Sequence, residues 1–321
     1  MSSVKQFPYK SSKIVATIWY RGETMIYLNS IQFPDVDIEE SFLANYYIPE
    51  LSHYNPEVKK TCYDTYYPFR VLQYRLEEVE FSEPITILYG GNGSGKSTVL
   101  NIIAEKIEIK RDSVFNKSNF FPDFLKLCTV DIAQKIPKSS RIITSDDVFD
   151  YMLNIRNLNE GIDQKREEIF EEYLEAKYSQ FQMRSMADYE QLKKVTQVKG
   201  QSQSKFVRSK LMDNIREYSN GESAFNYFTE KVTENGLFIL DEPENSLSPK
   251  RQIELSKFIE ESARFFNCQI IMSTHSPFLL AVKGAKIYDL DETPASIKKW
   301  TDLENVRLYH EFFTSYDNDF D

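Results

Sequence analysis

The stretch YGGNGSGKST, Tyr89 to Thr98, places four of the chain's ten glycines within six positions and follows them with Lys96, Ser97 and Thr98. Glycine adopts backbone angles that other residues avoid and lets the main chain come close to a neighbour. On the N-terminal side PITILYG reads as a short buried strand. On the C-terminal side KSTVLNIIAEKI brings Val99, Leu100, Ile103 and Ile107 onto one helical face. Further along, the strand LFIL, the helix PKRQIELSKFIEESARFF and the strands QIIMS and KIYDL repeat the same alternation. Strands alternating with helices predict an α/β fold with a mostly parallel sheet covered on both faces.

The segment GGNGSGKS fits G-x-x-x-x-G-K-[ST], with Gly90, Gly95, Lys96 and Ser97 in the fixed places. Gly91, Gly93 and Gly95 allow successive backbone N–H groups to form a concave anion site at a helix N-terminus, where the helix dipole also favours phosphate. Asn92, Ser94 and Thr98 complete the expected cradle from Gly90 to Thr98. Lys96 is expected to reach the β and γ phosphates of a nucleotide, and Ser97 to hold Mg²⁺. GLFILDEPENSLSP is an apolar strand ending in two carboxylates. Asp241 suits holding the Mg²⁺ hydration shell, and Glu242 can orient and deprotonate an attacking water. QIIMSTHSP ends at His275, one of three histidines. It is read either as structural or as a contact to the γ-phosphate. Ser219, Asn220, Gly221 and Glu222 read as a capping box, with Ser219 as N-cap and Glu222 three residues on. They equally form a second phosphate-seeking helix start, which one chain does not need for one nucleotide.

Other features bound the answer. The net charge of −10 argues against a whole-surface attraction to nucleic acid or anionic lipid. Lys193, Lys194, Lys199, Lys205, Arg208 and Lys210 nonetheless form a local run without an acid. Cys62, Cys128 and Cys268 have no ligand spacing, so neither zinc nor a disulfide framework is indicated. The start MSSVKQFPYKSSK lacks an apolar leader, and no stretch reaches the ~18 apolar residues of a membrane span. The expectation is a cytoplasmic chain with no membrane partner. KIVATIW and TMIYLNSIQF, joined by YRGE, read as two strands, and residues 151 to 192 as a polar helical insertion.

In this order, phosphate loop, S-x-G-E signature, D-E-P strand and histidine strand, the chain resembles the ABC-type ATPase superfamily. DEPENSLSP and STHSP are similar to its SMC, RecF and OLD-type branch. YYPF, VEFSEPITILYGGNGSGKST, SNGES and THSPFLLAVKGAKIYDLDE resemble the small stand-alone bacterial AAA/ABC-type ATPases. The likeness covers about residues 65–110 and 215–312. It implies a single domain over 1–321: a β-rich segment at 1–64, a nucleotide-binding core at 65–150 and 222–321, and a helical lobe at 151–221. It further implies a homodimer with ATP and Mg²⁺ between one chain's phosphate loop and the other's Ser219–Glu222. His275 would sense the γ-phosphate, and Ser246 to Pro249 would make the dimer contact known as the D-loop.

Two departures stand out. Ser248 and Pro249 replace the Leu-Asp common in transporter subunits. Gln134 is the nearest glutamine to a Q-loop, but Ser145 and Asp146 lie where that element would fall. About 145 residues separate Lys96 from Asp241, too few for a long antiparallel coiled coil at ~1.5 Å per residue. Stand-alone ATPases of the family it resembles are often encoded beside nucleases or toxins in phage-defence modules. The resemblance therefore implies an ATP-dependent dimerisation switch acting on nucleic acid or on a separate effector, since no nuclease signature is read in the chain. The alternatives are an ABC transporter's ATPase subunit and a nucleotide-binding scaffold with negligible turnover.

Overall fold

The computed structural model describes residues 25–44, 66–178 and 220–319, together with 202, 205–207 and 211. In chain order the elements are β1 (Leu28–Gln32), α1 (Val36–Ala44), β2 (Glu78–Glu80), β3 (Ile85–Tyr89), α2 (Lys96–Lys106), α3 (Phe121–Leu127), β4 (Thr129–Ile132), β5 (Arg141–Thr144) and α4 (Ser145–Tyr178). After them come α5 (Asn220–Lys231), β6 (Gly236–Asp241), α6 (Pro249–Phe265), β7 (Cys268–Ser273), α7 (Pro277–Leu280), β8 (Ala285–Asp289), β9 (Ser296–Lys298) and α8 (Glu304–Ser315). A short 3-10 turn, Pro243–Ser246, links β6 to α6.

Six strands form one sheet in the order β5-β6-β7-β3-β8-β9. The first five are parallel and β9 closes the edge antiparallel. Successive side chains of a strand point to opposite faces, and the burial follows that rule. Leu237 and Ile239 of β6, Ile271 of β7 and Leu88 of β3 belong to one apolar cluster. Phe238, Leu240, Ile270, Met272, Ile85 and Ile87 belong to the cluster on the other face, which α5, α6 and α7 cover. Both faces are therefore packed, which is why these strands read as continuous apolar runs.

A smaller antiparallel sheet, β2-β1-β4, stands apart. TMIYLNSIQF supplies β1 from its second half; KIVATIW and YRGE lie outside the described residues. Gln269 of β7 ties the two sheets together. Its side-chain oxygen accepts from the N–H groups of Tyr27 and Leu28 at 2.8 and 2.9 Å, and its amide donates to the Leu28 carbonyl at 2.8 Å. Residues of both sheets and of α2 share the first cluster, so α2 has no solvated side over most of its length. Ile102 and Ala104 are as fully buried as Val99, Leu100 and Ile103. The helix is thus wrapped by apolar neighbours rather than carrying a single apolar stripe.

The polar insertion is helical where it is described. α4 is one helix of 34 residues that starts at Ser145 and passes residues 150 and 151 without a break. Tyr173 of α4 packs on Phe206, with ring centroids 5.6 Å apart. Of the basic run, Lys205 lies in a described helical turn; Lys193, Lys194, Lys199, Arg208 and Lys210 lie outside the described residues.

Candidate active site

The register of the large sheet assembles the site. Leu88 of β3 pairs with Ser273 of β7, and Ser273 pairs with Asp241 of β6. The carboxyl ends of three neighbouring parallel strands therefore meet at one edge, where ligands of open α/β sheets bind. The phosphate loop, the acidic pair and the histidine turn each begin there.

The loop needs its glycines. Gly93 and Gly95 have φ of 81° and 98°, values that strain any residue with a Cβ. A Cβ on Gly95 would also stand 3.0 Å from Leu72 Cδ2. The first helical bond of α2 runs from Val99 N–H to the Gly95 carbonyl at 2.9 Å. Ahead of it, the N–H groups of Lys96, Ser97 and Thr98 have no intrahelical partner. Lys96 is buried, and its ammonium donates to the carbonyls of Gly90 at 2.8 Å and Gly91 at 3.0 Å. Arg75 braces the loop from outside by donating to the Ser94 carbonyl at 2.9 Å, while the Tyr67 hydroxyl meets Thr98 Oγ1 at 3.3 Å. The Asp291 carboxylate accepts the Gly91 N–H through both oxygens, at 2.7 and 2.9 Å.

Asp241 and Glu242 point to different partners, as adjacent residues at a strand end must. Asp241 Oδ1 accepts from Ser273 Oγ at 2.6 Å and from Ser97 Oγ at 3.1 Å. Burial pushes its carboxyl up, against the two hydroxyl bonds. Glu242 has φ 47° and ψ 56°, a left-handed conformation that costs a non-glycine residue about 1 kcal/mol or more. Its N–H holds that turn by donating to Ser273, to the carbonyl at 3.2 Å and to Oγ at 3.0 Å. The Glu242 carboxylate accepts from Asn245 Nδ2 at 3.1 Å and lies 3.1 Å from His275 Nε2 and 3.7 Å from the Lys96 ammonium. Burial acts to raise this carboxyl, but the Asn245 bond and the neighbouring Lys96 and His275 outweigh it and leave it below the usual carboxylate range.

The signature segment is described only in part. Ser219 lies outside the described residues, and Asn220 opens α5. Gly221 faces the start of α6: a Cβ there would stand 3.7 Å from the Ser246 carbonyl oxygen and 3.8 Å from Ser248 N. Glu222 Oε1 accepts from Arg251 Nη2 at 3.0 Å, a partner 29 residues away that the capping-box reading does not supply. Gln134 is exposed beyond β4, whereas Ser145 and Asp146 follow directly on β5, whose Thr144 pairs with Asp241. The block holding Ser145 and Asp146 thus borders the acidic strand and Gln134 does not.

Motif reasoning alone does not single out Ser273, Asn245, Arg75, Tyr67 or Asp291. Ser273 and Asp291 sit inside the runs STHSP and KIYDLDE, so their neighbours carry a signal. Tyr67 likewise sits inside YYPF, whereas Arg75 belongs to a stretch without periodicity.

A strand, glycine loop and helix, with a Ser–Asp pair and a carboxylate–histidine pair at the same sheet edge, define a P-loop ATPase of the ABC/AAA type. Residues 80–245 match the model of the ABC transporter family, residues 218–280 match that of the AAA ATPase domain, and the chain belongs to the former family. No helix of the described residues is long and apolar enough to cross a membrane. No curated protein matches the sequence significantly.

Solved structures that are similar include an inward-facing metal-chelate type ABC transporter, 17% identical, covering 73% of this chain and 80% of that one at a TM-score of 0.36. A dimeric ATP-binding cassette in a post-hydrolysis state with ADP and Pi is 14% identical, covering 72% and 92% at 0.33. The Smc head domain of Pyrococcus furiosus, bound to the C-terminal domain of ScpA, is 13% identical, covering 73% and 94% at 0.36.

Proposed function

We propose that this chain binds ATP at Gly90–Thr98 and hydrolyses it, with Glu242 as general base, and that the cycle opens and closes a homodimer. One observation carries the reading. The Glu242 carboxylate, kept ionised by its neighbours, is held 3.1 Å from His275 and 3.7 Å from Lys96, one residue beyond the Asp241–Ser97 pair.

Lys96 and the first N–H groups of α2 compensate the phosphate charge. Ser97 and Asp241 are the hard oxygen donors that would hold Mg²⁺, and their 3.1 Å separation suits two ligands of one small cation. That ion supplies charge neutralisation of the phosphates when bound. Glu242 accepts the proton of the attacking water. Asn245 fixes one of its oxygens, and His275 fixes the other while lying at the γ-phosphate end of the site.

In the proposed dimer, Ser219–Glu222 of one chain completes the other's site, with Ser246–Pro249 beside it. The proximity of Gly221 to Ser246 and Ser248 supports treating those segments as one surface. The proposed output is control of a separate nuclease or toxin acting on nucleic acid, a reading supported by the resemblance alone.

Phosphate release from ATP with Mg²⁺ tests the chemistry. Glu242→Gln should bind ATP normally and lose at least ~100-fold in turnover, the usual scale for a lost general base. Lys96→Ala should lose binding. Equal turnover by wild type and Glu242→Gln would remove Glu242 from the mechanism.

A further inference from the structure

His275 is held by more than its ring. Its main chain is gripped on both sides by side chains from two separate elements. Its N–H donates to Glu244 Oε1 at 2.5 Å, and its carbonyl accepts from Asn305 Nδ2 at 2.8 Å. Glu244 comes from the 3-10 turn after β6, so it is rigidly linked to Glu242 two residues earlier. Asn305 comes from the first turn of α8, and its own N–H donates to the Tyr89 hydroxyl at 3.3 Å. Tyr89 is the last residue of β3, directly ahead of the phosphate loop.

The neighbouring turn is secured as well. Ser276 N–H donates to Thr274 Oγ1 at 3.0 Å, and Ser276 Oγ donates to Gln252 Oε1 at 2.7 Å while capping α7. Those bonds fix where the chain goes after the histidine. The two grips on His275 itself fix the peptides that flank its Cα, and with them the direction of its Cα–Cβ bond.

We propose that Glu244 and Asn305 are positioning residues that clamp the peptides flanking His275 and thereby hold its imidazole on Glu242 Oε1. The clamp references the histidine to both sides of the site, to the acidic strand through Glu244 and to the phosphate-loop strand through Asn305 and Tyr89. The last helix, α8, is therefore part of the support for the chemistry, although no motif marks it. The proposal rests on the hydrolytic reading above for its effect on turnover, but not for its effect on the ring.

The test records the imidazole ¹⁵N and ¹H resonances of the nucleotide-free full chain alongside ATP turnover. The chain has three histidines, so a His275→Asn spectrum assigns the signal. The variants are Glu244→Ala, Glu244→Gln and Asn305→Ala. Gln keeps an oxygen that can accept the His275 N–H, whereas Ala does not. Glu244→Ala and Asn305→Ala should each move or broaden the His275 ring signals and lower kcat about tenfold, the worth of roughly one hydrogen bond. ATP affinity should stay within about twofold, because neither side chain touches the phosphate loop. Glu244→Gln should restore both ring signals and kcat.

Unchanged ring signals in both alanine variants overturn the clamp. So does a Glu244→Gln chain as impaired as Glu244→Ala, since the carboxylate's charge and not its grip would then matter. Should Glu244→Ala not fold, Asn305→Ala decides alone. Should wild type not turn over ATP, the hydrolytic reading fails, and the ring spectra still decide the clamp.

Discussion

Ser273→Ala removes one oxygen that serves both acidic residues. Ser273 Oγ donates to Asp241 at 2.6 Å and accepts from Glu242 N–H at 3.0 Å. The second loss is cushioned, because Glu242 N–H also reaches the Ser273 carbonyl at 3.2 Å. The first is cushioned less, because Ser273 is fully buried and Asp241 keeps only the longer bond from Ser97 Oγ at 3.1 Å among these two hydroxyls. A hydroxyl donating to a carboxylate contributes about 2 kcal/mol, more than the ~1 kcal/mol of a neutral pair. At a few degrees per kcal/mol for a chain of this size, that is a drop of about 4 °C in melting temperature. Circular dichroism melts at neutral pH without nucleotide or metal read this directly. Turnover adds a second readout: Asp241 loses its tether as the proposed Mg²⁺ ligand, so the Mg²⁺ dependence should move to higher concentration by about tenfold. A melting temperature within about 1 °C of wild type together with an unmoved Mg²⁺ dependence would refute the role given to the hydroxyl.

Asp291→Asn keeps an acceptor for the Gly91 N–H but removes a negative charge beside the phosphate loop. ATP should bind a few-fold more tightly by titration calorimetry, the size expected of one screened charge; weaker binding would mean the carboxylate's charge is needed to shape the loop. Burial pushes the Cys128 and Cys268 thiols up to about 12 and about 11. Both should escape a thiol-specific reagent in the native protein and react only after denaturation, as mass spectrometry of the labelled peptides would record.

The parts of this site written as contiguous motifs are legible in the order of amino acids alone. Each occurs where a continuous apolar run stops: Tyr89 before the glycines, Asp241 after Leu240, Thr274 and His275 after Ser273. A fully buried parallel strand has that signature whatever lies beside it. What a string of residues does not reveal is which strands are neighbours. β7 lies between β3 and β6, and only that order brings Ser273 onto Asp241 and His275 onto Glu242.

Long-range partners are equally hidden in the sequence. Asp291 lies 200 residues from Gly91, and Asn305 lies 30 from His275, in a helix with no motif. Glu222 reads as complete in a cap, yet its carboxylate meets Arg251 of α6. The small sheet is poorly legible for another reason. Its β2 is Glu-Val-Glu and its β4 is mostly exposed, so neither carries an apolar run to read.

Whether ATP acts as a switch in this chain is decided by light scattering of the Glu242→Gln chain in ATP and, separately, in ADP. The ATP-bound chain should form or compact a dimer, because in the proposed shared site only ATP would present a γ-phosphate to both Lys96 of one copy and Ser219–Glu222 of the other. ADP should leave the resting state unchanged, and adding Ser219→Arg should abolish the ATP response while ATP binding persists. The same scattering in ATP and ADP, or an ATP response that survives Ser219→Arg, would contradict the shared site.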